Sequence, residues 1–212
     1  KKGVNTEDSR RRRADTTIQL RKNKKEEGLA KRRNIMVNNF VTDSSTATTT
    51  PPSKFSDLMQ KLNSQNVDAM LEGIRGFRKA LSVETNPPVQ ECIDVGAVPM
   101  FVNLLQFDDN TVIQFEAAWA LTNIASTDRT QVVVDTGAVP HLVHQLMSGS
   151  ADVREQCAWC LGNVAGDGAS YRDVILSCGG LEPLLKNVLN PENVSLLRNC
   201  VWALSNFCRG KP

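Results

Sequence analysis

The chain has 212 residues, enough for one sizeable domain with a true core. Its 41% hydrophobic and 23% charged residues are ordinary for a globular chain, and no apolar run reaches the 18 residues that a membrane-spanning helix requires. The net charge of +2 conceals an asymmetry: residues 1–40 hold 13 basic and 5 acidic residues, net +8, which leaves 12 basic and 18 acidic residues, net −6, for the remainder. A basic arm tethered to an acidic body invites self-association or competition for shared partners.

In chain order, the arm comes first. The chain opens at Lys1 without a Met or a signal-peptide pattern, as a trimmed product would. The stretch from about Asp8 to Val37 lacks Pro and contains the i,i+4 pairs Lys22–Glu26 and Glu27–Lys31, so it is compatible with helix. Its few apolar residues (Ile18, Leu20, Leu29, Ile35, Met36, Val37) cannot bury a face, so the arm is expected to be conditionally helical, ordering when a partner supplies contacts. Residues 41–54, VTDSSTATTTPPSK, read as a flexible linker.

From Phe55 onward the body repeats. A helical piece from Phe55 to Ser82 reads as a partial first repeat that caps the stack. The pentapeptides WALTN at 119–123, WCLGN at 159–163 and WALSN at 202–206 place Trp at spacings of 40 and 43. Upstream of each stands GAVP at 96–99, GAVP at 137–140 or GGLEP at 179–183. A helical period in the low forties is that of armadillo and HEAT solenoids. Each unit is expected to be a short helix, a turn, a middle helix and a long third helix. Gly96, Gly137 and Gly180 are expected to follow helix ends, and Pro99, Pro140 and Pro183 to lie at helix starts. The stripes Ala118–Leu121–Ala125, Ala158–Leu161–Ala165 and Val201–Leu204–Cys208 are expected in the core. All six cysteines lie in apolar helical patterns, which predicts reduced, buried thiols.

On an adjacent face, Trp119 and Asn123 are i,i+4 neighbours, matched in phase by Trp159–Asn163 and Trp202–Asn206. Stacked repeats align them as a ladder. An Asn amide can bracket the peptide unit of an extended chain. Indole faces in a row form slots that take the apolar stem and the cation of Lys or Arg. A single such pair is compatible with core packing. Three copies at one phase point to binding of a basic peptide, since packing alone does not require Asn at each.

These residues carry a resemblance. RRRRADTTIQLRKNKKEEGLAKRRN resembles the importin-β-binding domain of importin-α, and IQFEAAWALTNIAS, EQCAWCLGNVAGDGASYRD and LLRNCVWALSNFCRGKP resemble its armadillo repeats. The resemblance implies an all-α fold, a right-handed armadillo-repeat superhelical solenoid over 55–212 preceded by the basic arm of 1–40. It implies a nuclear-import adaptor that shuttles between cytoplasm and nucleus, with no cofactor. Importin-β would grip the arm through Arg10, Arg11, Arg12, Arg13, Arg21, Lys22, Lys24 and Lys25. Lys31, Arg32 and Arg33 would imitate a nuclear localisation signal and occupy the protein's own groove. Trp119, Asn123, Trp159, Asn163, Trp202 and Asn206 would bind the signals of cargo proteins. Asp167 would receive the key lysine, helped by Thr130, with Gln156, Asn199 and Arg209 flanking the groove. One departure stands out: after Ala125 the chain has STDRT where the family has SGTSEQT, a loop two residues shorter and without the Gly. Members of the family carry further repeats, so their minor site and export-factor surface are expected to fall outside this sequence.

Other function classes fit less well. Four consecutive Arg could bind nucleic-acid phosphates, yet the arm lacks interleaved aromatics and the body is acidic, so no specific nucleic acid and no membrane partner is expected. A scaffold for acidic partners would need a basic groove, against which Asp167 argues. Cys157-x-x-Cys160 brackets a Trp in a repeat helix and has no second CxxC, so core packing is expected rather than redox or zinc chemistry. His141-x-x-His144 has no third ligand nearby in sequence, and no phosphate loop, carboxylate dyad or nucleophile motif is present, so no enzyme and no metal site is expected.

Overall fold

A computed structural model describes residues 52–83 and 86–209. Their regular structure is helical throughout, and the helices recur in threes. Helices α1 (Pro52–Leu62) and α2 (Val67–Leu81) make the partial first repeat. Then come α3 (Val89–Asp94), α4 (Ala97–Leu104) and α5 (Thr111–Ala125); α6 (Thr130–Asp135), α7 (Ala138–Gln145) and α8 (Ala151–Asp167); and α9 (Ala169–Ser177), α10 (Leu181–Leu189) and α11 (Val194–Phe207). Helix α1 begins at Pro52, inside the stretch read from sequence as linker. Proline suits a first helical position because its missing N–H has no intrahelical role there.

Local sequence explains the boundaries. Three long helices start on an asparagine whose Oδ1 accepts from backbone amides of the first turn. Asn66 accepts from Asp68 and Ala69 at 2.9 and 3.0 Å, Asn110 from Val112 and Ile113 at 3.0 and 3.2 Å, and Asn193 from Leu196 at 2.8 Å. Between the first and second helices of each repeat a glycine adopts the left-handed conformation: Gly96 (φ 72°), Gly137 (φ 78°) and Gly179 (φ 76°). The sequence pointed to Gly180 for the third. Gly180 is instead right-handed, and its role is close approach: a Cβ there would lie 2.7 Å from Ile175 Cγ2 and 3.0 Å from the Ile175 carbonyl oxygen. Pro99, Pro140 and Pro183 each occupy the first turn of a middle helix, as expected.

The third helices are the spine. Helix α2 packs on α5, α5 on α8, and α8 on α11. Because α5 and α8 each have a third helix on both sides, they are buried almost all round, and the stripes Ala118–Leu121–Ala125 and Ala158–Leu161–Ala165 lie in the core. The corresponding stripe on α11 does not. Val201 is 50% exposed, Leu204 is half-buried and Cys208 is exposed, while Leu196, Cys200, Ala203 and Phe207 are buried. Among the described residues the main packing partners of α11 are α8 and α10, so it has one third helix beside it where α5 and α8 have two. The middle helices are tied to one another by side chains. Gln145 Nε2 donates to the carbonyl of Leu105 at 2.6 Å, and Asn187 Nδ2 to that of Leu146 at 2.8 Å. One phase of the repeat therefore supplies the same inter-repeat hydrogen bond twice.

Candidate functional site

Trp119 and Asn123 lie on α5, Gln156, Trp159, Asn163 and Asp167 on α8, and Asn199, Trp202 and Asn206 on α11. Thr130 opens α6, and Arg209 comes just after α11. The arm residues Arg10, Arg11, Arg12, Arg13, Arg21, Lys22, Lys24, Lys25, Lys31, Arg32 and Arg33 lie outside the described residues.

The asparagines have a structural role that the sequence did not disclose. In each third helix the Asn four residues after the Trp reaches back to the preceding third helix. Asn123 Nδ2 donates to Ser82 Oγ at 3.0 Å and to the Arg78 carbonyl at 3.5 Å. Asn163 Nδ2 donates to the Thr122 carbonyl at 3.2 Å, and Asn206 Nδ2 to the Gly162 carbonyl at 2.8 Å. Packing therefore does use Asn at each repeat, which corrects the expectation that it would not. A second rung comes from the residue three before each Trp. Glu116 pairs with Arg78 at 2.7 Å, Gln156 Nε2 donates to Thr122 Oγ1 at 2.8 Å, and Asn199 Nδ2 donates to Glu155 Oε1 at 3.0 Å.

Among the described residues, four buried polar atoms keep no protein partner after these bonds are made. Asn163 Oδ1, Asn206 Oδ1, Gln156 Oε1 and Trp159 Nε1 are buried and have no protein hydrogen-bond partner. A buried polar atom left unpaired costs about 1–3 kcal/mol. Of the four, Asn163 Oδ1 and Asn206 Oδ1 recur at one phase of α8 and α11. The indoles differ among themselves. The expected row of open indole slots is not formed: Trp119 and Trp159 are buried, only 2% and 3% exposed, and Trp202 is half-buried. The Trp119 ring meets Phe115 edge-on at 5.5 Å and carries the Arg78 guanidinium 4.4 Å from its centroid. Trp202 lies against Gly162, where a Cβ would stand 2.3 Å from Cζ3 and 2.6 Å from Cε3.

Asp167 is exposed at the end of α8, and α6, which Thr130 opens, packs against that helix. The Thr130 side chain is fully buried and donates to the Ala125 carbonyl at 3.2 Å. The short loop between α5 and α6 closes without glycine: Ser126 and Thr127 hydroxyls donate to the carbonyls of Asn123 and Ile124, each at 2.7 Å, and Thr127 Oγ1 accepts from Arg129 N at 3.2 Å. The Arg209 side chain is exposed, and its backbone carbonyl accepts a hydrogen bond from Arg172.

Three polar residues at the site were not singled out from sequence: Arg78, Glu116 and Glu155. Burial is the largest influence on Glu155 and pushes its carboxyl above the ordinary carboxylate value; hydrogen bonds from Ser195 and Asn199 oppose the shift. Burial also pushes Cys157 far above the usual thiol value and Cys160 up to about 12, as a core role requires. The expectation of buried thiols holds for Cys92, Cys157, Cys160 and Cys200, whereas Cys178 and Cys208 are exposed.

The importin beta binding domain family matches residues 1–75, and the armadillo/beta-catenin-like repeat family matches 85–126, 126–166 and 169–209. Importin subunit alpha-1b of rice is 53% identical over 157 residues, 73% of this chain and 29% of that protein. Importin subunit alpha-2 of Arabidopsis thaliana is 46% identical over 224 residues, 100% of this chain and 42% of that protein. The chain belongs to the importin-α family. It spans about two-fifths of the length of the importin-α relative from Arabidopsis. Among solved structures, a designed armadillo repeat protein in complex with the peptide (KR)4 is similar, with a TM-score of 0.67 and 27% identity over 73% of this chain and 64% of that one. Computationally designed armadillo repeat proteins for modular peptide recognition match at a TM-score of 0.66 and 26% identity, over 72% of this chain and 63% of that one. As in importin-α generally, the fold is an all-α solenoid of armadillo repeats.

Proposed function

We propose that the chain acts as a nuclear-import adaptor. Its Trp–Asn ladder takes Lys/Arg-rich nuclear localisation signals of cargo, and the arm of residues 1–40 takes importin-β. The observation that carries this reading is the coincidence of the two parts in one chain: an arm matching the importin beta binding domain, and unpaired buried acceptors recurring beside indoles on successive third helices. An extended peptide would place its backbone N–H groups against Asn163 Oδ1 and Asn206 Oδ1, and a peptide carbonyl against Trp159 Nε1, once the side chains that bury these atoms move aside. A Lys or Arg stem would lie along the half-buried Trp202 indole, and Asp167 would receive one ammonium group, beside Thr130.

The charge asymmetry supplies the control. Lys31, Arg32 and Arg33 on the arm would compete with cargo for the same ladder. A short tether gives the competitor an effective concentration on the order of millimolar, so weak contacts suffice to inhibit. Importin-β would withdraw the arm by ordering it as a helix, which couples loading of the carrier to opening of the groove.

The test is fluorescence anisotropy of a labelled Lys/Arg-rich peptide titrated with the full chain, with and without importin-β, and with a K31A/R32A/R33A variant. Tight binding by the variant, and by the parent only with importin-β, is the expected outcome. Asp167→Lys in the variant background should weaken binding by about 1 kcal/mol, the scale of an exposed ion pair. Undiminished affinity there would remove Asp167 from the site, and equal affinity of parent and K31A/R32A/R33A would remove self-inhibition.

A further inference from the structure

The hydrogen-bond phase of the third helices aligns α2 with α5, α8 and α11. Asn163 donates to the carbonyl of Thr122, Asn206 to that of Gly162, and Asn123 to that of Arg78. Arg78 therefore stands in the partial repeat where Thr122 and Gly162 stand in the others. Three residues earlier is the Trp position, and there α2 has Arg75. One residue later is the Asn position, and there α2 has Lys79. Where the next three repeats present Trp and Asn, the first presents Arg and Lys.

The side chains agree with this alignment. Arg78 is 7% exposed, lies over the Trp119 ring and bonds Glu116 through Nε at 2.7 Å and Nη2 at 3.4 Å. Arg75 reaches the same carboxylate through Nε at 3.1 Å, and its side chain stays 47% exposed. Lys79 is exposed one turn further along. Glu72, three residues before Arg75, pairs with Lys61 of α1, and Asp68 lies further off in the first turn of α2. Glu116 is thus one carboxylate shared by two guanidinium groups, and Lys79 adds a further positive charge. The Trp119 face that Arg78 covers cannot take a ligand cation.

We propose that Arg75 and Lys79 form a carboxylate-binding subsite at the α2 end of the ladder, which receives an Asp or Glu of the bound peptide next to its basic run. The inference rests on the ladder being the peptide-binding groove. A cation at this place meets local repulsion, whereas a carboxylate meets guanidinium Nη donors that Glu116 leaves to Arg75 and the ammonium of Lys79. The α2 end would set both where the basic run stops and which charge the adjoining peptide residues carry.

The test uses the full chain carrying K31A/R32A/R33A and three labelled peptides: a basic run flanked by Gly-Ser on both sides, the same run followed by Glu-Glu, and the same run preceded by Glu-Glu. One of the two acidic peptides should bind about fivefold more tightly than the neutral-flanked peptide at low salt, from contacts of the size of exposed ion pairs. The gain should vanish in R75Q/K79Q, whose affinity for the neutral-flanked peptide should remain within about twofold of that of its background; both substitutions are at exposed positions and leave the Arg78–Glu116 pair in place. Binding of the neutral-flanked peptide without a gain from either acidic flank would overturn the subsite alone, as would a gain that persists in R75Q/K79Q. Failure of all three peptides to bind would overturn the groove reading and the subsite with it.

Discussion

Replacing Gly162 by Ala tests the packing of the ladder at a single methyl. Gly162 lies in the interior of α8, where Ala is intrinsically favoured by about 1 kcal/mol. Against this, the new Cβ would stand 2.3 and 2.6 Å from Trp202 ring atoms and 3.3 Å from the Cα of Ala203 on the neighbouring helix. Overpacking of this kind costs about 1–3 kcal/mol. The net expectation is a loss of up to about 2 kcal/mol, or a melting temperature lower by up to about 8 °C for a chain of this size. Trp202 must shift, and Asn206, which donates to the Gly162 carbonyl at 2.8 Å, shifts with the same interface. The assay is thermal unfolding by circular dichroism together with tryptophan emission, with Gly149→Ala as the control because no atom lies within 4 Å of a Cβ there. A Gly162→Ala variant that melts higher, with unchanged emission, would show only the helix-propensity gain and would refute the packing of Trp202 on Gly162.

Buried groups give two further expected outcomes. In the unfolded chain Glu155 ionises in the ordinary carboxylate range; in the fold, burial makes it hold its proton to higher pH. The unfolded state loses this proton first as pH rises, so the ionised form disfavours folding above that range and the effect disappears below it. Glu155→Gln, which retains an acceptor for Ser195 and Asn199, should be at least as stable as the parent at pH 7, with the difference closing as the pH falls to about 4; melting curves that diverge on acidification would contradict this. Maleimide at pH 8 should label Cys178 and Cys208 in the native protein, while Cys92, Cys157, Cys160 and Cys200 react only after denaturation, because burial pushes Cys92, Cys160 and Cys200 up to about 12 and also raises Cys157 well above the usual thiol value. Rapid native labelling of Cys157 or Cys160, counted by mass spectrometry, would overturn the core assignment.

What the sequence disclosed and what it withheld separate along one physical line. The three-helix unit, its Gly and Pro boundaries and the Trp–Asn phase are set by residues within one turn of each other, where helical geometry is fixed and spacing alone decides who is neighbour to whom. The contacts between repeats join residues some forty positions apart, and no periodicity reveals their partners. Adjacent Gly179 and Gly180 look alike in sequence, and only the approach of Ile175 distinguishes them. Val201, Leu204 and Cys208 repeat the core stripe of α5 and α8 faithfully, yet burial depends on a second neighbouring third helix, and among the described residues α11 has only α8 beside it. The asparagines make the strongest case. Because Asn123, Asn163 and Asn206 each donate to the preceding third helix, the recurrence of Asn has a sufficient cause in packing. Recurrence of Asn by itself therefore does not argue for peptide binding. What bears on binding instead is the pair of acceptors that packing leaves over, Asn163 Oδ1 and Asn206 Oδ1, and the replacement of Trp and Asn by Arg75 and Lys79 at the α2 rung.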